Sequence, residues 1–245
     1  MPKTSMRLDK FIASQRSDLS RSDVKELCRR GRVTVDGAVQ KKSDFKLCPE
    51  EAAVCVNDEP IRYRRYLYIM MNKPQGVVCS TRNGLSPTVL SLLPPELRRE
   101  GLFPAGRLDK DTEGFVFITD NGDFAHRILS PKNHVPKKYY AELEKPWDES
   151  YAERFKSGIT LLTGEECMPA EFEGIENKNS CYVILHEGMF HQVKKMFEAL
   201  GNSVEYLKRI QIGGLKLDES LPLGGCLEIM HKELSQIDPL FDGEF

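Results

Sequence analysis

The sequence predicts an α+β protein in two parts: a small, basic N-terminal module, then a larger domain on a mixed, mostly antiparallel β-sheet. Charge is the first observation: residues 1–65 hold 15 Lys and Arg against 10 Asp and Glu, whereas the rest holds 20 against 27. The second is a pair of short helical patterns followed by a hairpin signal. The third is a series of short apolar runs without regular strand–helix alternation. We place the domains at 1–60 and 61–245.

The composition is that of an ordinary globular protein, with 40% hydrophobic and 29% charged residues among 245. No run of about 18 apolar residues occurs, so no transmembrane helix is predicted. The segment Met1–Lys10 lacks the apolar block of a secretory signal, and we expect a cytoplasmic protein with no membrane association. Seven scattered cysteines without C-x-x-C spacing and five dispersed histidines predict reduced thiols and no metal site.

Two short amphipathic helices are predicted first. Their apolar faces are Leu8, Phe11 and Ile12 in the first and Val24, Leu27 and Cys28 in the second. Ser20, with Asp23 three residues later, forms a capping-box pattern at the start of the second helix. That helix also carries a basic stripe, nearly free of acids, that consists of Arg21, Lys25, Arg29 and Arg32. The stripe favours phosphate contact over an ordinary solvated face.

A hairpin and a linker complete the module. Asp36-Gly37 separates two short β-prone runs, which is a strong hairpin signal. Residues Asn57–Arg65 are poor in apolar side chains and contain Pro60, so we expect a linker there. The segments Arg7–Phe11 and Arg30–Gly37 resemble the S4 RNA-binding domain over about residues 5–60. The resemblance implies binding of structured RNA, with Arg7 and the basic stripe as contacts.

Short strands and helices alternate irregularly in the second part. Strands are expected at Tyr66–Met71, Phe115–Thr119, Tyr139–Leu143 and Cys181–Leu185, with a hairpin around Gly213-Gly214. Asp120 is the expected cap of one helix, and Gly201 the expected end of another.

The most informative segment is the charged loop Gly106–Gly114, which lies directly before a buried strand. Such loops are usually just solvated, but glycines and an apolar strand anchor this one and would present a side chain with precision. Motifs for nucleotide binding, zinc proteolysis and serine hydrolysis are absent. Three other segments accompany the loop: Asn72–Val77, Lys137–Tyr139 and Gly188–Met196.

Together these segments resemble the RsuA-type pseudouridine synthases over nearly the whole chain. The shared patterns are N-K-P-x-G-V, G-R-L-D-x-x-T-x-G, K-x-Y and G-x-x-H-Q-V-K-x-M. The resemblance implies an S4-like domain followed by a pseudouridine synthase domain that needs no cofactor or metal. It implies that Asp109 acts at the ribose, as nucleophile or as base, with Tyr139 against the uracil.

Further residue roles follow from the same resemblance. Lys194 stands where many relatives have Arg and is expected to pair with Asp109, because a desolvated carboxylate needs a cation to stay ionised. Arg107, Lys73 and Lys137 complete the expected RNA-contacting set, with Lys73 also supporting the site. Met189 and Phe190 depart from the usual Arg and Tyr.

The substrate expected from the resemblance is 16S rRNA, free or in an assembling small subunit. Asn72–Thr81, Ser130-Pro131 and Gly201-Asn202 resemble the small-subunit branch, which implies the pseudouridine-516 class. Alternatives are 23S rRNA, a non-catalytic ribosome-assembly factor, and a glycosidase that pairs Asp109 with Asp111. We expect a monomer, because no heptads occur.

Overall fold

The computed structural model describes residues 5–82, 84–239 and 241. The chain divides into two compact units. The first runs to Leu67 and includes Leu93–Leu102, and the second comprises Tyr68–Leu92 and the chain from Phe103 onward. No helix in the described residues is long and apolar enough to cross a membrane.

Two helices and two small sheets form the first unit. The helices are α1 (Leu8–Gln15) and α2 (Arg21–Arg29). The strands are β1 (Met6–Arg7), β2 (Val33–Val35), β3 (Ala38–Val39), β4 (Lys46–Leu47), β5 (Val54–Val56) and β6 (Glu59–Ile61). Strands β3-β2-β5-β6 form one sheet, and β1 pairs with β4.

Both predicted helices are confirmed. The expected apolar face of α1 is fully buried, as are Val24 and Cys28 of α2. The Ser20 hydroxyl accepts the Asp23 N–H while the Asp23 carboxylate accepts the Ser20 N–H, so the capping box is complete. The hairpin is confirmed too: β2 and β3 are joined by Asp36 (φ 50°) and Gly37 (φ 80°), the positive φ pair that a tight two-residue turn requires.

The linker expected at Asn57–Arg65 is wrong, because it contains β6. This strand pairs with β5 in antiparallel register, with Pro60 opposite Cys55. It lies at the sheet edge, where a proline removes no ladder hydrogen bond from a second neighbour.

The second unit is built on one mixed sheet. Its strands are β7 (Tyr68–Lys73), β8 (Phe103–Ala105), β9 (Glu113–Thr119), β10 (Lys137–Leu143), β11 (Glu171–Gly174), β12 (Ser180–Leu185), β13 (Val204–Ile212), β14 (Leu215–Lys216) and β15 (Cys226–Glu228). Its helices are α3 (Gly122–Leu129), α4 (Ser150–Ser157), α5 (Gln192–Ala199) and α6 (His231–Leu234). The main order is β11-β12-β10-β13-β9-β7-β15, antiparallel except for the parallel pair β9–β13. This confirms a mixed, mostly antiparallel sheet.

The two central strands β7 and β9 are nearly continuous runs of buried residues, as strands covered on both faces require. Helix α3 follows β9, but its cap is Asn121 and not the expected Asp120. The Asn121 side chain accepts the Phe124 N–H at 3.0 Å and donates to the Tyr68 hydroxyl at 2.9 Å. Asn121 therefore caps the helix and also satisfies a buried tyrosine.

Strands β9, β10 and β13 position the segments that carry the motifs. Gly114 (φ 102°) opens β9 beside Arg209 of β13, where an added Cβ would overlap the Arg209 carbonyl. Only glycine permits this close approach. On β10, Lys137 and Tyr139 are buried while Lys138 and Tyr140 alternate to the more exposed face. Lys137 and Tyr139 therefore lie on the same, buried face of β10.

Candidate active site

A cleft open to solvent brings three of the four motifs together. It is lined by the loop before β9, by β10 and by the start of α5, through residues that include Arg107, Asp109, Tyr139, Gly188, His191 and Gln192. Leu185 and Leu207, from the strands on either side of β10, add apolar surface beside Tyr139. The cleft thus combines an apolar, aromatic wall with one carboxylate.

The fourth motif, N-K-P-x-G-V, supports the loop that carries Asp109. Lys73 ends β7 and is fully buried. Its Nζ donates to the carbonyls of Asp109 (2.9 Å), Thr112 (2.7 Å), Pro74 (3.1 Å) and Lys110 (3.3 Å). Burial lowers the pKa of this ammonium, and the carbonyl dipoles are what stabilise its charge.

Lys73 is therefore a structural support for the Asp109 loop. The expectation that it also contacts RNA is not consistent with a fully buried ammonium. Two further bonds fasten the same loop: the Gly76 N–H donates to the Lys110 carbonyl at 2.8 Å, and the Leu108 N–H donates to Cys79 Sγ at 3.4 Å. The backbone that carries Asp109 is thus held at several points.

The Asp109 carboxylate lies between a histidine and a lysine side chain. Its Oδ1 is 3.3 Å from His191 Nε2, and its Oδ2 is 3.9 Å from Lys194 Nζ. Lys194 also donates to both oxygens of Asp111, at 2.6 and 2.7 Å, and these bonds lower the Asp111 pKa. The expected pairing of Lys194 with Asp109 is present as a long ion pair, while the closer partner of Lys194 is Asp111.

Tyr139 is nine-tenths buried on β10 and forms part of the cleft wall. A flat aromatic face beside a partly exposed carboxylate suits a planar base whose sugar lies at the carboxylate. Arg107 is exposed at the same cleft, where its guanidinium is free to approach RNA.

Lys137 does not have the exposure that an RNA contact needs. It is 8% exposed, and burial together with the nearby Arg209 lowers its pKa to about 8. Arg209 is itself buried and donates from Nε to the Phe115 carbonyl at 2.8 Å. The structure thus places this lysine inside the sheet domain.

The basic residues of the first unit have more acidic neighbours than the sequence suggested. Arg7 donates twice to the buried Asp9, and Arg21 donates to the same carboxylate at 2.9 Å. Arg29 pairs with Glu26. Lys25 and Arg32 are exposed, with no described carboxylate within 4 Å. The stripe is therefore partly compensated, and Lys25 and Arg32 are its least compensated members.

Two residues at the site were not among the expected site residues. His191 lies within the H-Q-V-K pattern, but a lone histidine carries little signal in one sequence. Asp111 occupies a variable position of the loop motif and was considered only as a rival carboxylate. The described residues contain no group of three or more His, Cys, Asp or Glu placed to hold a metal ion.

Known proteins resemble this chain over most of its length. The RNA pseudouridylate synthase family model matches residues 67–199, and the S4 domain model matches residues 6–53. A Bacillus subtilis protein named uncharacterized RNA pseudouridine synthase YtzG is 42% identical over 94% of this chain and 97% of its own length. Ribosomal small subunit pseudouridine synthase A of Vibrio cholerae is 42% identical over 95% of this chain and 99% of its own length.

A solved structure described as a pseudouridylate synthase superposes with a TM-score of 0.66 at 38% identity, covering 95% of this chain and 99% of that one. The chain belongs to the RNA pseudouridylate synthase family. It is an enzyme that joins an S4 domain to a pseudouridine synthase domain.

Proposed function

We propose that this enzyme converts a uridine of 16S ribosomal RNA, the RNA of the small subunit, into pseudouridine. Asp109 acts at the ribose. The observation that carries the proposal is the Asp109 carboxylate, presented on a rigidly supported loop at a cleft walled by Tyr139. The name of the Vibrio cholerae relative supports the small subunit as the source of the RNA. The specific target we propose is the uridine 516 class.

The reaction needs no net oxidation and no external group. The C1′–N1 bond breaks, the uracil rotates, and a C1′–C5 bond forms while C5 loses a proton and N1 gains one. Asp109 either attacks C1′ or removes a ribose proton, and both roles require the ionised carboxylate. Lys194 at 3.9 Å favours that state through its positive charge, and His191 Nε2 lies 3.3 Å from the same carboxylate.

Tyr139 and Arg107 have complementary roles in this proposal. A stacked uridine has to leave its helix before it reaches Asp109, which costs a few kcal/mol. The buried Tyr139 ring offers the extruded base an aromatic surface. The exposed Arg107 guanidinium contacts the phosphate or fills the vacated space in the RNA.

The S4 unit would supply affinity for folded RNA, through Lys25, Arg32 and the partly compensated arginines beside them. The full partner is 16S rRNA, naked or within an assembling small subunit, bound by a monomeric enzyme. A 23S target is the competing substrate, and the experiment below separates the two.

The test is Asp109→Asn, assayed by tritium release from C5-labelled uridine in 16S and 23S transcripts and in assembling small subunits. Asparagine preserves shape but supplies neither charge nor a basic oxygen, so turnover should fall by many orders of magnitude while RNA binding persists. Asp123→Asn, an exposed position on α3, is the matched control.

Turnover of Asp109→Asn within about tenfold of the unmodified enzyme, or roughly 1.4 kcal/mol of barrier, would overturn the assignment of Asp109. Activity confined to the 23S transcript would overturn the assignment of the substrate. Mapping pseudouridine on both rRNAs from cells that lack the gene then identifies the position.

A further inference from the structure

His191 has a left-handed backbone conformation, which is uncommon for residues other than glycine. It precedes α5 with φ 55° and ψ 32°, in the left-handed region. Positive φ is uncommon for a residue with a Cβ, and histidine is one of the types that adopt it most often. Such residues concentrate at functional sites, and this one lies in the cleft with Asp109.

Two sets of contacts surround His191, one to its ring and one to the turn that carries it. The ring stacks on Phe190, with centroids 3.8 Å apart and planes 20° apart. On the other side in sequence, the Gln192 side chain accepts the Met189 N–H at 3.0 Å and donates to Glu187 at 2.6 Å. The turn is therefore closed around residue 191, and the imidazole is held with Nε2 3.3 Å from Asp109 Oδ1.

The two oxygens of Asp109 have different neighbours. Oδ1 faces His191, whereas the cation nearest Oδ2, Lys194, is 3.9 Å away and donates at shorter distances to Asp111. A carboxylate that must act at one ribose atom needs a fixed orientation, because small misplacements cost much of the rate. Of the two side chains beside the Asp109 carboxylate, His191 lies nearer and can fix its orientation.

We propose that His191 is a positioning residue of the reaction: its imidazole holds Asp109 Oδ1, orients Oδ2 toward the ribose, and is itself aimed by the left-handed backbone at residue 191. This inference rests on the proposed role of Asp109. In this proposal Lys194 chiefly pairs with Asp111 and supplies local positive charge. His191 orients Asp109.

Two substitutions separate the side chain from the backbone. His191→Asn keeps a residue that tolerates the left-handed region, but its side chain is too short to reach Asp109. His191→Gln suits that region less well, yet places an amide N–H near the position of Nε2. If the side chain matters, kcat should fall about tenfold to a hundredfold in Asn and recover partly in Gln, with KM within about threefold.

His126→Gln, exposed on α3, is the matched control, and thermal unfolding of every variant checks the fold. An Asn variant with the kcat of the unmodified enzyme, or a Gln variant less active than Asn at equal stability, would overturn the proposal. Asp109→Asn measured in parallel distinguishes the two hypotheses. An inactive Asp109→Asn beside a fully active His191→Asn rejects only the role of His191, whereas an active Asp109→Asn rejects the role of the aspartate.

Discussion

The two units use positive charge in opposite ways. In the S4 unit the arginines and lysines stay at the surface, and several are partly compensated by Asp9 or Glu26. In the synthase unit two motif lysines are enclosed: Lys73 is fully buried and Lys137 nearly so. The synthase unit thus encloses lysines of a kind that the S4 unit keeps at its surface.

This difference separates residues that contribute to RNA affinity from residues that maintain the fold. An exposed ion pair contributes about 0–1 kcal/mol and is weakened by salt, so surface cations remain available to a phosphate, most readily where no carboxylate pairs with them. Removing a buried ammonium that donates to several carbonyl groups lowers the free energy of unfolding much more. Substitutions in the first unit should therefore change RNA binding, and substitutions of buried cations should change the fold or the chemistry.

The largest expected effect is that of Lys73→Met. It leaves the carbonyls of Asp109, Thr112 and their neighbours without their shared donor, which should cost about 3–5 kcal/mol of folding free energy and most of the activity. Urea unfolding and tritium release measure the two losses. Lys156→Met, exposed on α4, is the control. Equal stability of the two variants would show that the buried ammonium does not hold the loop.

Lys194→Met should follow, with turnover reduced at least about a hundredfold, or 2.7 kcal/mol of barrier, while the fold persists. Methionine removes the one ammonium that lies between Asp109 and Asp111. Lys194→Arg should retain activity, because a cation remains between the two carboxylates.

The activity of Asp111→Asn is the comparison for that of Lys194→Met. It should cost less than Lys194→Met, because Lys194 stays within reach of Asp109 when its closer partner loses charge. Equal activity of the Met and Arg variants would remove charge at residue 194 from the mechanism. If Asp111→Asn were as inactive as Asp109→Asn, the paired-carboxylate alternative would gain support.

Lys137→Met tests the cost of burying a charge. The pKa of Lys137 falls from 10.5 to about 8 on folding, so below pH 8 the folded protein carries a desolvated charge that the unfolded chain keeps in water. As pH rises through 8, the folded state releases this proton while the unfolded state keeps it, and stability from this group increases. Methionine has no such dependence. The variant should therefore be more stable at pH 7, with an advantage that shrinks by about 1 kcal/mol by pH 9.

The difference between the two proteins is the quantity to measure, by denaturant unfolding at both pH values. Buried thiols act in the opposite direction: burial raises the pKa of Cys181 to about 12, so thiol ionisation in the unfolded chain lowers stability at high pH. That contribution is common to both proteins and cancels. A stability difference independent of pH would mean that Lys137 is not desolvated.

The sequence could predict features whose causes are local. The Ser20–Asp23 capping box and the Asp36-Gly37 turn each depend on a few adjacent residues, and both are confirmed. The loop that presents Asp109 could be predicted because its glycines and the strand after it are contiguous. That Lys73 supports the site is implied by the resemblance, but its full burial could not be predicted, because a lysine usually indicates an exposed surface.

Misreadings came from features that depend on tertiary pairing. Asn57–Arg65 reads as a linker because Pro60 and the arginines disfavour a central strand, yet an edge strand accepts them. The closer partner of Lys194 is Asp111, 83 residues away, beside the expected but longer pairing with Asp109, and nothing in the spacing distinguishes the two carboxylates. The left-handed backbone at His191 depends on the turn around it, for which the sequence has no glycine signal at that position.

The smallest and most discriminating effects are expected in the S4 unit. Lys25→Gln and Arg32→Gln should each lower the log–log dependence of RNA affinity on salt by about 0.7–1, because each removes a cation available to a phosphate. Arg29→Gln should lower the slope by less than half as much, because Glu26 already compensates Arg29 and would have to be displaced first. Fluorescence anisotropy with 16S rRNA fragments between 50 and 200 mM salt, on folded variants, gives the three slopes. Equal slopes for Arg29→Gln and Lys25→Gln would mean that RNA displaces the carboxylate at no cost. The acids beside the stripe would then have no part in setting its affinity, and the contrast between compensated and free surface cations would not hold.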